Sequence, residues 1–158
     1  MSERPMAPAR GHGRRAESVL VVVTGPAGTV LLIRRRQPVG FWQSVTGALE
    51  AGETPARAAR REVREELGID PGSDIEDCHL RFRFPILPAW RHRYDAGQRT
   101  NLEHVFHLPA RRAFRPRLDP AEHTGWIWLS GAGAAARAAS ETNRRAIRHC
   151  LRCRRSAP

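Results

Sequence analysis

Apolar residues gather first in two branched runs, Ser18 to Thr24 (SVLVVVT) and Thr29 to Arg34 (TVLLIR), separated by Gly25-Pro26-Ala27-Gly28. Unbroken branched runs joined by a Gly/Pro turn predict a hairpin with a buried face. A basic loop from Arg34 to Gly40 follows, and Phe41 to Thr46 (FWQSVT) predicts another short strand. The period then changes. Ala59, Val63 and Leu67 recur every four residues, Thr54 and Pro55 stand at the start and Gly68 just past the end. An N-cap threonine, a proline at the first helical position and a terminal glycine predict a helix with one apolar face, on which Glu62 and Glu66 lie one turn apart along another face. Further on, Ile75 to Leu87 predicts a strand broken at Pro85, Asn101 to Leu108 another, and Trp126 to Leu129 a short third. The Ala-rich stretch from Gly131 to Arg152 predicts a helix that contains Ser140, Asn143 and Arg144. Strands and helices that mix without regular alternation predict an α/β fold, a mixed sheet between helices and not a doubly wound parallel one.

Composition narrows the partners. The chain has 158 residues, which suits one domain; the expected organisation is a flexible basic leader over 1–13, a single domain over 14–152 and a flexible tail over 153–158. Its longest apolar run, Val19 to Val23, is far short of the roughly 18 to 20 residues of a membrane span, and the leader has no apolar stretch of a secretory signal. Three cysteines, Cys78, Cys150 and Cys153, leave an odd thiol, so reduced thiols in the cytoplasm are expected. His149, Cys150 and Cys153 resemble half of a zinc site, but a structural site needs four ligands, so zinc is not expected. The formal charge is +11, carried by arginine without a single lysine. No nucleic-acid-binding motif accompanies it, so the charge is read as attraction for a small polyphosphate, and nucleic acid is not the expected partner. The composition sets no oligomeric state.

Five carboxylates lie between Glu50 and Glu66, around the predicted helix. On charge alone they would be an ordinary solvated face in which Arg57, Arg60, Arg61 and Arg64 pair with Glu62, Glu65 and Glu66. Another reading starts from what a polyphosphate requires: its charge must be neutralised before water attacks phosphorus, and Mg²⁺ held by hard carboxylate oxygens does this. Glu62 and Glu66 aim two carboxylates at one place, Glu65 stands beside them, Gly47 and Gly52 permit a tight loop, and Arg61 is placed to hold Glu53 against the helix. The order Gly47, five residues, Glu53, seven residues, Arg61-Glu62-Val63, one residue, Glu65-Glu66, one residue, Gly68-Ile69 is identified as a complete Nudix box, nine positions over 23 residues. The resemblance implies an α/β/α sandwich, dependence on a divalent metal, and hydrolysis of a nucleoside diphosphate linked to another group. It does not choose the substrate.

Residues outside the box do that. Phe41 to Gly47, Arg91-His92-Arg93-Tyr94 with Gly97 and Asn101, Glu122-His123 with Trp126 and Trp128, and Ser140 with Asn143-Arg144 resemble the dihydroneopterin triphosphate pyrophosphatase branch of the family, from about Arg14 to Ile147. The resemblance implies cleavage to dihydroneopterin monophosphate and pyrophosphate, a step in folate synthesis, with Mg²⁺ as cofactor and Mn²⁺ as a substitute. It implies metal binding by Glu62, Glu66 and Glu122, and substrate contacts from Arg14, Arg35, Thr46, the segment Phe84 to Leu87 (Phe84 and Ile86 foremost) and Ser140. Glu65 is a candidate outer ligand or base. For each a plainer role stands beside it: Thr46 as a strand residue, Arg35 as a solvated charge, Phe84 and Ile86 as core, Glu122 as a turn cap. Trp42, Trp90, Trp126, Trp128, His92 and Tyr94 invite a ring-stacking role, but most are expected in the core. Two rivals remain: a purine nucleoside triphosphate pyrophosphatase acting on dATP or oxidised dGTP, and a Nudix-fold sensor. Eroded carboxylates would mark the sensor, and Glu53, Glu62, Glu65 and Glu66 are all present.

Overall fold

A computed structural model describes residues 15–155. Seven strands form one mixed sheet: β1 (Glu17–Thr24), β2 (Thr29–Arg35), β3 (Trp42–Gln43), β4 (Val45–Ala48), β5 (Glu76–Pro85), β6 (Thr100–Pro109) and β7 (His123–Ser130). Helix α1 (Pro55–Leu67) covers one face; α2 (Gly131–Arg137) and α3 (Glu141–Arg155) cover the other. The expected sandwich is what forms.

The order β3-β2-β1-β6-β5 has β7 on the far side of β2 and β4 beside β1. β1 and β6 run parallel; the other described pairs are antiparallel. The predicted hairpin is looser than its sequence implies. β1 and β2 pair at Thr24↔Val30 beside the turn and then splay, so that β3 pairs with β2 and β4 with β1. The single strand expected over Phe41 to Thr46 is therefore two, parted at Ser44, where the chain crosses from one splayed strand to the other.

Because side chains alternate across a strand, β1 and β2 supply both cores. Val19, Val21, Val23, Leu31 and Ile33 pack with Ala59, Val63 and Leu67 of α1, while Leu20, Val22, Val30 and Leu32 pack with Ala146, Ile147 and Cys150 of α3. Helix α1 starts and stops as predicted. The Thr54 hydroxyl accepts from the Arg57 N–H, Pro55 is first in the helix, and Gly68 ends it at φ +70°. The C-terminal region departs from a single helix. It breaks between Arg137 and Glu141, and Ser140 is not inside a helix: its hydroxyl accepts from the Asn143 N–H at 3.2 Å, so it caps α3. Helix α3 continues to Arg155, beyond Arg152. No helix among the described residues is long and apolar enough to cross a membrane.

Candidate active site

The loop Ala48–Glu53 is fastened to α1 by one arginine. Arg61 meets Glu53 in a fork, Nε to Oε1 at 2.8 Å and Nη2 to Oε2 at 2.9 Å, and Nη2 also donates to the Ala48 carbonyl at 2.9 Å. Its Nη1 donates to Glu62 Oε1 at 2.7 Å and Glu65 Oε2 at 3.2 Å. The guanidinium beside Glu53 holds that carboxyl below its usual range. Two other arginines of the helix turn away from Glu62, Glu65 and Glu66: Arg60 donates to the Gly72 carbonyl and Arg64 pairs with Asp70.

Glu62 and Glu66 are 8% and 6% exposed, unusual for carboxylates. Register explains how they are held there. Gly47 pairs with Val19, whose side chain is in the α1 core, so any side chain at 47 would point at α1. A Cβ there would lie 2.0 Å from Glu62 Oε1. Glycine is needed at this position for close approach, since the carboxylate occupies the space a side chain would fill. One residue back, the Thr46 N–H donates to Glu66 Oε2 at 3.3 Å, and the Thr46 hydroxyl donates to the Val19 carbonyl at 2.9 Å. Burial drives the Glu62 carboxyl up to about 7, against the lowering effect of Arg61, and the charges of Glu65 and Glu122 raise it further. Glu66 is pushed well above its usual range by burial and by the charges of Glu62 and Glu122, with Arg35 opposing.

Glu122, distant in sequence, therefore stands within electrostatic reach of both. The loop that carries it is pinned to the end of β2: the Arg36 N–H donates to the Glu122 carbonyl at 2.8 Å, and the Arg36 guanidinium to the Pro120 carbonyl at 2.8 and 2.6 Å. A bulge between Arg34 and Arg35 shifts the register so that Arg35 pairs with His123. His123 is buried, with its Nδ1 unpartnered among the described residues. Arg34, Arg35 and Arg36 line an open cleft of about 470 Å³ together with Trp42 and Thr124. Carboxylates within electrostatic reach of Arg35, one of the arginines that line this cleft, can hold a divalent cation against a polyphosphate that the arginines attract.

The donors fit such a cation. They are hard oxygens, they repel one another, and Gly47 leaves room for them. No three of the described His, Cys, Asp or Glu side chains converge into a ready cage. Magnesium keeps several waters and takes few protein oxygens.

The remaining predicted residues divide. Arg35 is near Glu66, and Thr46 touches it through its backbone. Phe84 is half-buried and Ile86 buried at the end of β5; Ser140 caps α3. Arg14 lies outside the described residues, as does the Trp90 side chain. Of the aromatics, Trp128 packs edge-on against Phe114 and donates to its carbonyl, whereas Trp42 faces Arg34 and Arg137 at 5.5 and 5.8 Å. Sequence reasoning missed the clamp between Ser44 and Asn143, in which the Ser44 N–H donates to Asn143 Oδ1 and Asn143 Nδ2 to the Ser44 hydroxyl, both at 2.8 Å. It also missed Glu103, buried on β6. The clamp joins residues 99 positions apart in sequence, and the burial of Glu103 follows from its strand register.

The chain matches the NUDIX domain over residues 14–150. It is 40% identical over 140 residues to the dihydroneopterin triphosphate diphosphatase of Escherichia coli, covering 85% of this chain and 91% of that one. It is 35% identical over 139 residues to the dihydroneopterin triphosphate diphosphatase of Haemophilus influenzae, covering 85% and 87%. The solved structure of the E. coli dihydroneopterin triphosphate pyrophosphohydrolase superposes with a TM-score of 0.79 at 37% identity, covering 90% of this chain and 99% of that chain.

Proposed function

The chain belongs to the Nudix family of hydrolases, and from that premise we propose that it cleaves dihydroneopterin triphosphate to dihydroneopterin monophosphate and pyrophosphate, with Mg²⁺ as the metal. The observation that carries this reading is the burial of Glu62 and Glu66 within electrostatic reach of Glu122 and Arg35, in a chain that matches the named relatives over most of both lengths. The family uses divalent metal. Mg²⁺ is preferred here because the donors are all carboxylate oxygens, and Mn²⁺ is the expected substitute.

Glu62, Glu66 and Glu122 would hold the metal, which when bound neutralises the triphosphate and lowers the pKa of the attacking water. Thr46 and Gly47 supply the backbone that positions the two helix carboxylates. Arg35 adds a guanidinium for a phosphate oxygen. Glu65 is the more exposed of the helix carboxylates and shares Arg61 with Glu62, which supports a role in orienting or deprotonating water at the rim. Glu65→Gln keeping turnover within a few-fold of wild type would remove Glu65 from that role. Thr46, Phe84, Ile86 and Ser140 are assigned to the remainder of the substrate. Three free thiols suit the reducing cytoplasm.

The test is a set of initial rates with Mg²⁺ on dihydroneopterin triphosphate and on a panel of ribo- and deoxynucleoside triphosphates, with Glu66→Gln as the blank. A preference in kcat/KM for the pterin with pyrophosphate as product is expected. A preference for dATP or oxidised dGTP would keep the hydrolase and discard this substrate.

A further inference from the structure

The face of the sheet opposite α1 holds a buried acid that the hydrolytic centre does not use. Glu103 is 6% exposed, and its Oε1 has no hydrogen-bond partner among the described residues. Its carboxyl is bonded by the side chain of Thr142 in the first turn of α3. Register fixes its surroundings. Glu103 pairs with Phe82 on one side and Ser18 on the other, and Phe84 pairs with Asn101 one step along. Phe82 belongs to the α3 core, so all these side chains share the α3 face. The Asn101 amide donates to the Ser18 hydroxyl at 2.8 Å. Thr46 pairs with Leu20 of the same core, so its side chain also turns to this face while its N–H holds Glu66 at the sheet edge.

The two sites are thus joined through β4. Its residues alternate between Glu62 at Gly47 and the α3 face at Thr46 and Ala48, and Glu103 lies two strands away across β1, about 10 Å at ordinary strand spacing. A molecule with its phosphates at α1 would have to pass its ring across β4 to reach Glu103.

We propose that Glu103 is the specificity residue for the ring: its carboxylate accepts the exocyclic amino N–H and the adjacent ring N–H of a 2-amino-4-oxopyrimidine edge, with Phe84 beside the ring. This rests on the proposed pterin substrate only for the name of the ligand, since guanine presents the same edge. A buried carboxylate with an idle oxygen is costly. Two parallel N–H donors complement it as a guanidinium does, and the Thr142 bond leaves lone pairs free. Burial raises the Glu103 carboxyl, and a ligand that donates two hydrogen bonds to the ionised form reverses that. Adenine lacks the donor pair, so this acid favours pterin and guanine rings over dATP.

The test compares kcat/KM for dihydroneopterin triphosphate, dGTP and dITP, the last two differing by the 2-amino group alone. The wild-type protein is expected to prefer dGTP to dITP by about 10-fold or more, since a site built to bond an N–H rejects the analogue that lacks it. Glu103→Gln is expected to lower kcat/KM for dihydroneopterin triphosphate and dGTP by about 10²-fold and for dITP, which keeps the ring N–H but not the amino group, by only about 10-fold, with a thermal midpoint no lower than that of wild type. A wild-type ratio of dGTP to dITP near one overturns the proposal without any variant, as does an equal loss on all three substrates. Turnover of dGTP but not of the pterin would discard the pterin reading while the dGTP/dITP ratio still judged Glu103.

Discussion

The two faces of the sheet bury acids of the same type in different company. On the α1 face Glu62 and Glu66 are crowded with Glu122, so their burial is compounded by repulsion, and the Arg61 fork is spent mainly on Glu53. On the α3 face Glu103 stands alone among a phenylalanine, an asparagine and hydroxyls, and burial without like charge is what raises it. Crowded acids call for a cation; a lone acid with an idle oxygen calls for N–H donors. The contrast assigns hydrolysis to one face and discrimination to the other, and it forecasts how substitutions divide: changes on the α1 face lower turnover of every substrate, changes on the α3 face alter the ratio between substrates.

The largest expected effect is Glu66→Gln, a loss of about 10³-fold in kcat on all triphosphates together, since removing a proposed metal ligand would act on every substrate alike. Stability should move the other way. For a carboxyl raised in the folded state, stability is full below the ordinary carboxyl range and is lost as pH rises through the folded value. For Glu62 the window runs from the ordinary carboxyl value of 4.5 to about 7. The thermal midpoint in chelator should therefore fall between pH 5 and pH 8. Glu62→Gln should flatten that fall and raise the pH 8 midpoint by several degrees, and Mg²⁺ should do the same for wild type. A midpoint indifferent to pH over this range would deny that the pair is desolvated. Next in size is Gly47→Ala, whose Cβ falls 2.0 Å from Glu62 Oε1. The carboxylate must move, and about 10²-fold in kcat should go on every substrate alike. A selective loss on one triphosphate would break the division between faces.

The same division explains what was legible in the sequence. Chemistry carried by one continuous segment reads directly, because helical spacing places Glu62 and Glu66 together, Thr54 and Gly68 mark the ends, and Arg61 reaches Glu53 within a single loop. Chemistry assembled from separate strands does not. Glu103 in Asn101-Leu102-Glu103-His104 looks like any polar residue of a strand, and its burial follows from a parallel pairing with β1 across more than eighty residues. The splay of β1 from β2 was equally hidden, since no local signal says that a well-made hairpin will part after one pair. Ser140 reads in the sequence as part of a helix, whereas its hydroxyl caps one. A serine followed by Glu-Thr-Asn is also a helix start, and the Ala-rich stretch before it masked the break.

The smallest expected effect tests the α3 face through its support. Asn143 is 1% exposed and makes two hydrogen bonds of 2.8 Å to Ser44, at the point where the chain passes from β3 to β4. Asn143→Ala removes both bonds and leaves a buried N–H unpaired, worth about 2 kcal/mol of stability. Helix α1 and the Arg61 fork are untouched, so kcat at saturating substrate should stay within about threefold of wild type. The N-terminal turn of α3, with Thr142 against Glu103, loses its tether to the sheet. KM for the pterin and for dGTP should then rise by roughly 10-fold and that for dITP, which offers one N–H donor in place of two, by less, a ring effect reached through positioning. A uniform fall in kcat would instead tie Asn143 to β4 and through it to Glu66, and the two faces would have to be treated as one site.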